Sequence, residues 1–465
     1  MKITKFWMGL CLSVSLIGLT ACSSGNGGGN NAVEGTNAPE TGKTGGAVST
    51  EQAKAPGNSP SKGEKATIVF STFWPDDTFK EAKKKYEAKH PNITIELHDV
   101  QADDAHTEAE LEKYVTSTNA AMLSGKGPDI LLLDMLPSEK YVGQHLLADL
   151  SDKLKQDPSF KNGEYFNNIL ENSQTSGGLY GIPLNFFLNV LLGDEAAIKQ
   201  AGVPIDDKTW TWEKLAETTK QLAQKGPYTS ALGTSPEYLL GEMVKENHTR
   251  FVDEENRKAS FDTAAFTDMM QQVKTMKEDG IIAEGRFDTY FAPRNINSSW
   301  DYLVSLKEFG EQAKLYAKPQ AEGTKAGGYF YTYKTIGINE KSAVKEEAWE
   351  FLQFLMSEEL QISPERAGFP INKKVYEKQV QKLLSDGTFK TYEEGPLQGQ
   401  SFPVDKQLLQ QLESYLTEAV HPGTFQKSKI EEIVTKECKA FFSGQKTAQE
   451  VAKLIQNKVM TYLNE

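Results

Sequence analysis

The sequence predicts an α/β fold with two lobes, and three observations carry this prediction. Lys65–Ser71 and Asn92–Leu97 have strand patterns separated by a stretch with helical spacing, which is a βαβ opening and implies a parallel sheet. Gly127–Asp134 contains a continuous apolar run that suits a strand covered on both faces. Roughly 400 residues follow residue 64, which is enough for two lobes with their own hydrophobic cores.

The loop after the first predicted strand holds candidate ligand contacts. In open α/β sheets, ligands bind beyond the carboxyl ends of the strands, and Phe73, Trp74 and Asp76 lie at such an end. An exposed aromatic pair there can stack on a sugar ring, because the axial C–H groups of the sugar pack on a π face. The alternative is that Trp74 covers the core of the lobe. Asp76 or Asp77 is also expected to cap the helix that follows.

A further strand and helix are predicted within Ala326–Lys374. Side chains alternate after Gly327-Gly328, and the pattern puts three tyrosines on one face, namely Tyr329, Tyr331 and Tyr333. Val344–Leu355 has a wide apolar stripe, which predicts a helix packed on a sheet. Gly328 and Tyr329 are candidate ligand contacts, because a missing side chain lets a ligand approach the backbone and an aromatic ring can close over it.

The first 64 residues have the pattern of a lipoprotein leader and a tether. Met1–Ala21 contains two lysines and then an apolar run that is too short to span a bilayer comfortably. Leu19-Thr20-Ala21-Cys22 reads apolar, small, small, cysteine, so we predict cleavage before Cys22 and lipidation of its thiol. The alternative is an ordinary signal peptide with a chance cysteine. Residues 22–64 contain no aromatic side chain, which predicts a disordered tether.

Charge and cysteine content exclude several classes of protein. The formal net charge is −13, and it becomes −15 once Lys2 and Lys5 leave with the leader. A strongly acidic surface argues against nucleic acid or anionic lipid as the main partner. Cys11 lies in the leader and Cys22 is the predicted lipid site, so only Cys438 remains in the body. We expect no intrachain disulfide, and we expect Cys438 to be a small buried residue.

The sequence offers no positive sign of catalysis or of a bound metal. It contains no G-x-S-x-G, no H-E-x-x-H and no complete P-loop motif. Two histidines and three aspartates crowd one predicted loop: His98, Asp99, Asp103, Asp104 and His106. Their irregular spacing favours a solvated loop over a metal site. We therefore predict no catalytic residue, no metal and no cofactor.

Several short motifs occur in an order that resembles one protein family. They are Gly327-Gly328, Ile338-Asn339, Ala348-Trp349-Glu350-Phe351-Leu352, Ser357-Glu358-Glu359-Leu360-Gln361 and Gly368-Phe369-Pro370. As a set they resemble the carbohydrate-type extracellular solute-binding lipoproteins of ABC importers, the maltose-binding-protein-like family 1. This resemblance implies the type II periplasmic-binding-protein fold, in which two lobes, each a sheet flanked by helices, are joined by a hinge. It implies an N-terminal lobe of residues 65–184 plus 318–372 and a C-terminal lobe of 185–317 plus 373–465.

The resemblance also implies ligand contacts in the cleft between the lobes. Asp134, at the end of its predicted strand, would accept hydrogen bonds from two sugar hydroxyls, or would serve only as a turn acid or helix cap. Asn185 and Phe186 would line the hinge, and Trp300-Asp301 stands where the family has ligand-contacting aromatics. The predicted ligand-binding residues are Phe73, Trp74, Asp76, Asp134, Asn185, Phe186, Trp300, Asp301, Gly328 and Tyr329.

These observations predict a monomeric receptor held at the cell membrane through lipidated Cys22, on its extracellular or periplasmic side. It would bind a carbohydrate, expected to be an oligosaccharide, by hinge closure and pass it to the transmembrane subunits of an ABC permease. One alternative is a secreted carbohydrate-active hydrolase on the same tether, which needs a carboxylate pair about 5–9.5 Å apart. Another is a structural or adhesive surface lipoprotein that lacks an interlobe cleft.

Overall fold

The computed structural model of the protein describes most of the chain after residue 63. The described residues are 64–100, 106–253, 256–284, 288–310, 312–320, 323–361, 367–392, 394–395, 397–424 and 428–464. The predicted leader, Cys22 and almost all of the predicted tether lie outside these ranges, as do Asp103 and Asp104.

The strands of the described chain lie mostly in one large mixed sheet. In chain order they are β1 Ala66–Ser71, β2 Ile93–His98, β3 Ile130–Leu132, β4 Ile182–Asp194, β5 Ser230–Leu232, β6 Val252–Asp253, β7 Lys258–Ala259, β8 Thr289–Ile296, β9 Ala313–Ala317, β10 Gly328–Ile338, β11 Phe369–Pro370, β12 Thr388–Lys390, β13 Ser401–Pro403 and β14 Ala419–Thr424.

The helices flank this sheet. In chain order they are α1 Asp77–Lys89, α2 Thr107–Leu123, α3 Ser138–Gly143, α4 Ser151–Gln156, α5 Pro158–Lys161, α6 Asn167–Asn172, α7 Glu195–Ala201, α8 Trp212–Lys225, α9 Pro236–Glu246, α10 His248–Phe251, α11 Ala264–Glu278, α12 Ser299–Phe309, α13 Lys345–Met356, α14 Glu358–Gln361, α15 Lys373–Asp386, α16 Lys406–Glu418, α17 Lys429–Glu437, α18 Lys439–Phe442 and α19 Ala448–Asn464. Among the residues described, no helix has both the length and the apolar composition needed to span a bilayer.

The strand order of the sheet is β2-β1-β3-β10-β4-β8-β5, with β9 and β11 also paired to β4 and β14 paired to β10. β1 runs parallel to β2 and β3, which confirms the parallel sheet predicted from the βαβ opening. β10 is antiparallel to both β3 and β4, so the sheet as a whole is mixed. The predicted α/β fold class is confirmed.

β4 links two hydrophobic cores. Its side chains alternate across the sheet, so that Phe186 and Leu188 enter one core while Leu191 enters the other. The first core contains the side chains of β1, β3, α1, α12, α13 and α16. The second core contains those of α7 to α9, α11 and α17 to α19. Cys438 is fully buried in the second core, as predicted, and burial raises the pKa of its thiol to about 12.

Local structure agrees with the sequence in some places and departs from it in others. Asp76 caps α1 by accepting a hydrogen bond from the Thr78 N–H at 2.7 Å, as expected. The predicted helix over Val344–Leu355 is present as α13. The strand predicted to reach Asp134 is shorter, because β3 ends at Leu132 and Asp134 lies in a 3-10 turn. This turn directs the Asp134 carboxylate toward β10.

Candidate functional site

The loop that follows β1 presents one aromatic side chain to solvent and buries the other. Phe73 is 1% exposed and packs in a small core beside Tyr114, whereas Trp74 is 41% exposed. The two rings meet edge to face with centroids 4.6 Å apart. The Thr72 hydroxyl donates to the Trp74 carbonyl at 2.9 Å, which fixes the loop. Trp74 is therefore a large apolar surface held on a rigid support.

Asp76 and Lys334 form a shielded ion pair next to this loop. The Lys334 ammonium lies 2.5 Å from Asp76 Oδ2, and the two side chains are only 15% and 18% exposed. Burial alone would raise the pKa of Asp76, but the charge and hydrogen bond of Lys334 outweigh it and lower that pKa. Asp76 is thus a carboxylate with free acceptor capacity beside the exposed Trp74 ring.

Lys334 has an unusual backbone, and the sequence of β4 accounts for part of it. Tyr333 pairs with Asn185 and Thr335 pairs with Pro183, which has no N–H to donate to the ladder. Between these pairs Lys334 adopts a left-handed conformation with φ of 52°. Its N–H turns out of the ladder and donates to Asp134 Oδ2 at 2.8 Å. Such strain in a non-glycine residue costs about 1–3 kcal/mol and often marks functional sites.

Asp134 completes this group, which we call the aspartate–lysine cluster (Asp76, Asp134 and Lys334). Its Oδ1 accepts a second backbone hydrogen bond, from the Thr335 N–H at 3.2 Å. Burial raises the pKa of Asp134 to about 6, although those N–H groups and the Lys334 charge oppose the shift. Burial and the two nearby aspartates raise the pKa of Tyr333 to about 12, so this hydroxyl stays a donor at neutral pH. The cluster therefore contains both donors and acceptors of hydrogen bonds.

The predicted tyrosine face of β10 is confirmed. Its tyrosines extend from the aspartate–lysine cluster to a second group of charged side chains. Phe330 and Ile336 point into the first core. The tyrosines make different contacts. The centroid of the Tyr333 ring lies 5.3 Å from that of Phe187, and the Tyr331 hydroxyl donates a hydrogen bond to Glu242 Oε2 at 2.6 Å. Tyr329 lies 4.8 Å from the His421 ring, centroid to centroid.

The second group is the glutamate–lysine cluster, which consists of Glu242, Glu246, Glu431, Lys245 and Lys318. The Lys318 ammonium lies between two α9 carboxylates, 2.8 Å from Glu242 and 2.7 Å from Glu246. The indole N–H of Trp212 donates to Glu246 at 2.9 Å. Burial would lower the pKa of Lys318, but the two carboxylates outweigh it and raise that pKa, so Lys318 stays charged.

The rest of the glutamate–lysine cluster joins α9 to α17. Lys245 lies 3.8 Å from Glu431, and both side chains are about one-tenth exposed (11% and 9%). The Lys245 ammonium also lies 4.1 Å from the centroid of the Tyr331 ring. Burial raises the pKa of Glu431 to about 7, with Lys245 opposing and Glu242 adding to the shift. The cluster holds three acids and two ammonium groups, and burial favours the neutral form of Glu431 more than is usual for a glutamate.

A small recess with a cavity volume of about 10 Å³, room for roughly one water molecule, opens beside Glu242 and Lys318. Its walls are mostly apolar and come from the sheet and from α8 and α9: Leu191, Trp212, Leu232, Thr234, Tyr238, Leu239 and Pro293. Tyr238 is 37% exposed at its edge. An apolar wall with a few convergent polar groups is the usual composition of a small-molecule site.

Several predicted ligand-binding residues contact protein rather than solvent. Phe186 is fully buried between the rings of Phe166 and Phe369. Asn185 is 4% exposed and packs against Gly368. Gly368 has φ of 93°, and a Cβ there would lie 2.8 Å from the Asn185 Cβ, so this close approach requires glycine.

Trp300 and Asp301 pack at the start of α12. The Trp300 indole N–H donates to the Lys390 carbonyl at 2.9 Å, and its ring meets Tyr392 edge to face. Asp301 is 2% exposed and accepts hydrogen bonds from the Asn297 N–H and the Tyr392 hydroxyl. These contacts bind α12 to β12 and do not join the two residues to the aspartate–lysine cluster.

Gly328 and Tyr329 lie where β10 pairs with β14. Gly328 is partly exposed, and an added Cβ would make only ordinary contacts with Ala419. Tyr329 is 6% exposed, with the Lys318 ammonium 5.2 Å from its ring centroid. The structure thus brings together Asp76 and Asp134 from the predicted set through Lys334, with Trp74 two residues before Asp76 in the same loop, and places Tyr329 near the glutamate–lysine cluster.

Sequence reasoning missed Lys334, Lys318 and the α9 glutamates. One signal was present, because Glu242 and Glu246 are four residues apart and share a face of a helix. Lys334 is a charged residue that interrupts an aromatic strand, which was also visible. Their partners lie 76 and 258 residues away along the chain, so no local pattern could supply the pairs. Within the described part of the chain, no three or more His, Cys, Asp or Glu side chains are grouped so that they could hold a metal ion.

Comparison with known proteins identifies the family. Residues 74–362 match the family model described as bacterial extracellular solute-binding protein. The chain is 25% identical over 306 residues to the lactose-binding protein of Rhizobium radiobacter, covering 60% of this chain and 67% of that protein.

Two solved structures share the fold at low identity. One is a periplasmic oligogalacturonide-binding protein from Yersinia enterocolitica, with a TM-score of 0.57, 16% identity, and coverage of 86% of this chain and 99% of that one. The other is the sugar-binding protein MalE from Xanthomonas citri, with a TM-score of 0.56, 13% identity, and coverage of 86% and 98%. The family model spans well over half of the chain, so this protein belongs to the bacterial extracellular solute-binding protein family.

Proposed function

We propose that this protein is the solute receptor of an ABC importer and that it binds an oligosaccharide. The observation that carries the proposal is Trp74, a 41% exposed indole in the loop whose Asp76, two residues later, belongs to the aspartate–lysine cluster. Sugars need a flat apolar surface together with acids and amides that accept hydrogen bonds from hydroxyls. The similarity to a lactose-binding protein supports a carbohydrate over a peptide or an ion.

In the proposed complex the sugar stacks on Trp74 while its hydroxyls donate to Asp76 and Asp134. Tyr333 supplies a donor from the neighbouring strand. Closure would then bring the second core, with its recess beside Glu242, onto the other side of the sugar. The other residues predicted from the sequence, including Phe73, Asn185, Phe186, Trp300, Asp301, Gly328 and Tyr329, stay predictions.

The anchor and the delivery step are also proposals. The sequence Leu19-Thr20-Ala21-Cys22 supports lipidation of Cys22 and attachment to the outer side of the membrane. Membership of the solute-binding family supports transfer of the ligand to a permease. The lobe boundaries, residues 65–184 plus 318–372 and 185–317 plus 373–465, belong to the same proposal.

Titration calorimetry of the mature protein with neutral di- and trisaccharides, including lactose and maltotriose, tests the proposal. We expect binding by at least one sugar, and we expect Trp74→Ala to weaken it about tenfold or more, since stacking on an indole is lost. Leu384→Ala is the matched control, because Leu384 is also an exposed apolar residue (36%) but lies on α15. Absence of binding by every sugar in a broad panel, with a folded protein, would refute the proposal.

A further inference from the structure

The lysines around the proposed site are each paired with a carboxylate, and the carboxylates outnumber the ammonium groups. The aspartate–lysine cluster holds two carboxylates and one ammonium group: the Lys334 ammonium pairs with Asp76, and the Lys334 backbone N–H donates to Asp134. In the glutamate–lysine cluster, three carboxylates face two ammonium groups. Both lysines there are close to carboxylates and largely buried.

Each cluster contains an acid whose pKa is raised by burial. Burial raises the pKa of Asp134 to about 6, and burial together with Glu242 raises that of Glu431 to about 7. Burial also raises the pKa of Glu246, so at least one acid in each cluster is harder to ionise than usual even without a ligand. A further anion placed in this space would meet unfavourable potential from both sides.

We propose that the site accepts uncharged oligosaccharides and rejects acidic ones that carry uronate or sulfate groups. This inference rests on the proposed function and specifies its ligand class. Apolar stacking on Trp74 and hydrogen bonds to acceptors suit hydroxyl groups. A ligand carboxylate would need a lysine or arginine, and Lys334 and Lys318 are already engaged by protein carboxylates. The similarity to an oligogalacturonide-binding protein, at 16% identity, shows a shared fold alone.

The test uses a pair of ligands that differ only in charge. The neutral oligosaccharide that binds best is compared with its derivative in which one C6 alcohol is oxidised to a carboxylate, by calorimetry at pH 7.5 and low salt. We expect the acidic form to bind roughly ten- to a hundredfold more weakly, as for a unit charge several ångströms from an uncompensated carboxylate. Equal or tighter binding of the acidic form would overturn the inference and leave oligosaccharide binding intact. Absence of binding by both forms and by the whole neutral panel would overturn both.

A charge-matched pair of variants tests the physical reason. Asp76→Asn leaves Lys334 without its carboxylate partner, so the preference for the neutral form should fall about tenfold. Asp77→Asn removes the same charge from the next residue, but the Asp77 side chain is 97% exposed and pairs with Lys80. It should leave the preference unchanged within about twofold, because solvent screens it. If the two variants behave alike, neutralisation of Lys334 does not control selectivity.

Discussion

The two charged clusters are built alike but differ in their access to solvent. Each has one more carboxylate than ammonium groups, and each contacts the tyrosine face of β10. In the glutamate–lysine cluster, Lys318 and Glu246 are 4% and 3% exposed. In the aspartate–lysine cluster, Lys334 and Asp76 are 15% and 18% exposed and lie beside the exposed Trp74.

This difference in burial predicts a mainly structural role for the glutamate–lysine cluster and agrees with the binding role proposed for the aspartate–lysine cluster. The glutamate–lysine cluster is the more buried of the two, so most of its energetic effect falls on the fold and on the joining of α9, α17 and β10. A group at the solvent edge can exchange water for ligand hydroxyls at little cost. We therefore expect substitutions in the glutamate–lysine cluster to cause the largest losses of stability, and substitutions elsewhere to cause smaller ones.

The largest effect should follow removal of Lys318. Lys318→Met leaves Glu242 and Glu246 buried without their shared cation, and we expect a loss of about 4 kcal/mol in the free energy of unfolding. Urea denaturation monitored by circular dichroism measures it. Lys208→Met is the control, since Lys208 and Glu418 pair with side chains 74% and 55% exposed, and should lose less than about 1 kcal/mol. Similar losses in both variants would show that the cluster is not sealed.

Removal of Lys334 should cost somewhat less, because Asp134 keeps its backbone hydrogen bonds. We expect Lys334→Ala to lose about 3 kcal/mol of stability and to weaken sugar binding. Lys334→Gly should lose about 1 kcal/mol less than the alanine variant, since glycine tolerates φ of 52°. The same denaturation experiment compares the two. A glycine variant no more stable than the alanine variant would show that the left-handed backbone carries no strain.

The pH dependence of stability should distinguish the clusters. The folded-state pKa of Glu431, about 7, exceeds its ordinary 4.5, so the folded protein holds this proton more tightly than the unfolded chain. That contribution is full below pH 4.5 and is lost as the pH rises through about 7. Glu431→Gln cannot ionise, so its stability should rise relative to the unaltered protein between pH 5 and pH 8, on the order of 2 kcal/mol.

Asp134→Asn should show the same trend in a lower window. The pKa of Asp134 rises from an ordinary 3.8 to about 6 in the folded protein. Its proton therefore stabilises the folded state fully below pH 3.8, and this stabilisation is lost by about pH 7. Between pH 7 and pH 8 the stability difference of Asp134→Asn should be flat while that of Glu431→Gln still changes. Thermal melts across pH 5 to 8 measure both. Coincident windows would contradict the distinction between the two acids.

The smallest effect concerns the link between β10 and the glutamate–lysine cluster. Tyr331→Phe removes the hydroxyl that donates to Glu242 at 2.6 Å, while Lys318 still neutralises that carboxylate. We expect a loss of about 1 kcal/mol and no change in the ratio of affinities for neutral and acidic sugars. Tyr180→Phe, outside the cluster, controls for the general effect of the substitution. A changed selectivity would place Tyr331 in contact with ligand.

The sequence was sufficient for those features that depend on neighbouring residues. The βαβ opening, the cap by Asp76, the tyrosine face of β10 and the α13 helix all follow from spacing over a few residues, and the structure contains them. The ordered motifs were sufficient to indicate the family, which the family model confirms.

The charged pairs could not be predicted, since each joins parts of the chain far apart in sequence. Exposure also depends on tertiary context, and Phe73 and Trp74 show this most clearly. The two adjacent aromatics looked equivalent in sequence, yet one is 1% exposed and the other 41%. Asp134 was expected at the end of a strand, but the early end of β3 put it in a turn that faces β10.

The ladder of β4 has a mechanical consequence for any movement between the two cores. β4 is 13 residues long and pairs with β10, β8, β9 and β11, so it passes between the cores without a flexible loop. Such a strand resists bending but can change its twist, as β-ribbons do. The ladder of β4 lacks one donor, because Pro183, which pairs with Thr335, has no N–H, and the neighbouring Lys334 N–H donates to Asp134 instead. A rotation of one core against the other would have to twist β4 itself, and the interrupted part of its ladder lies beside Asp134.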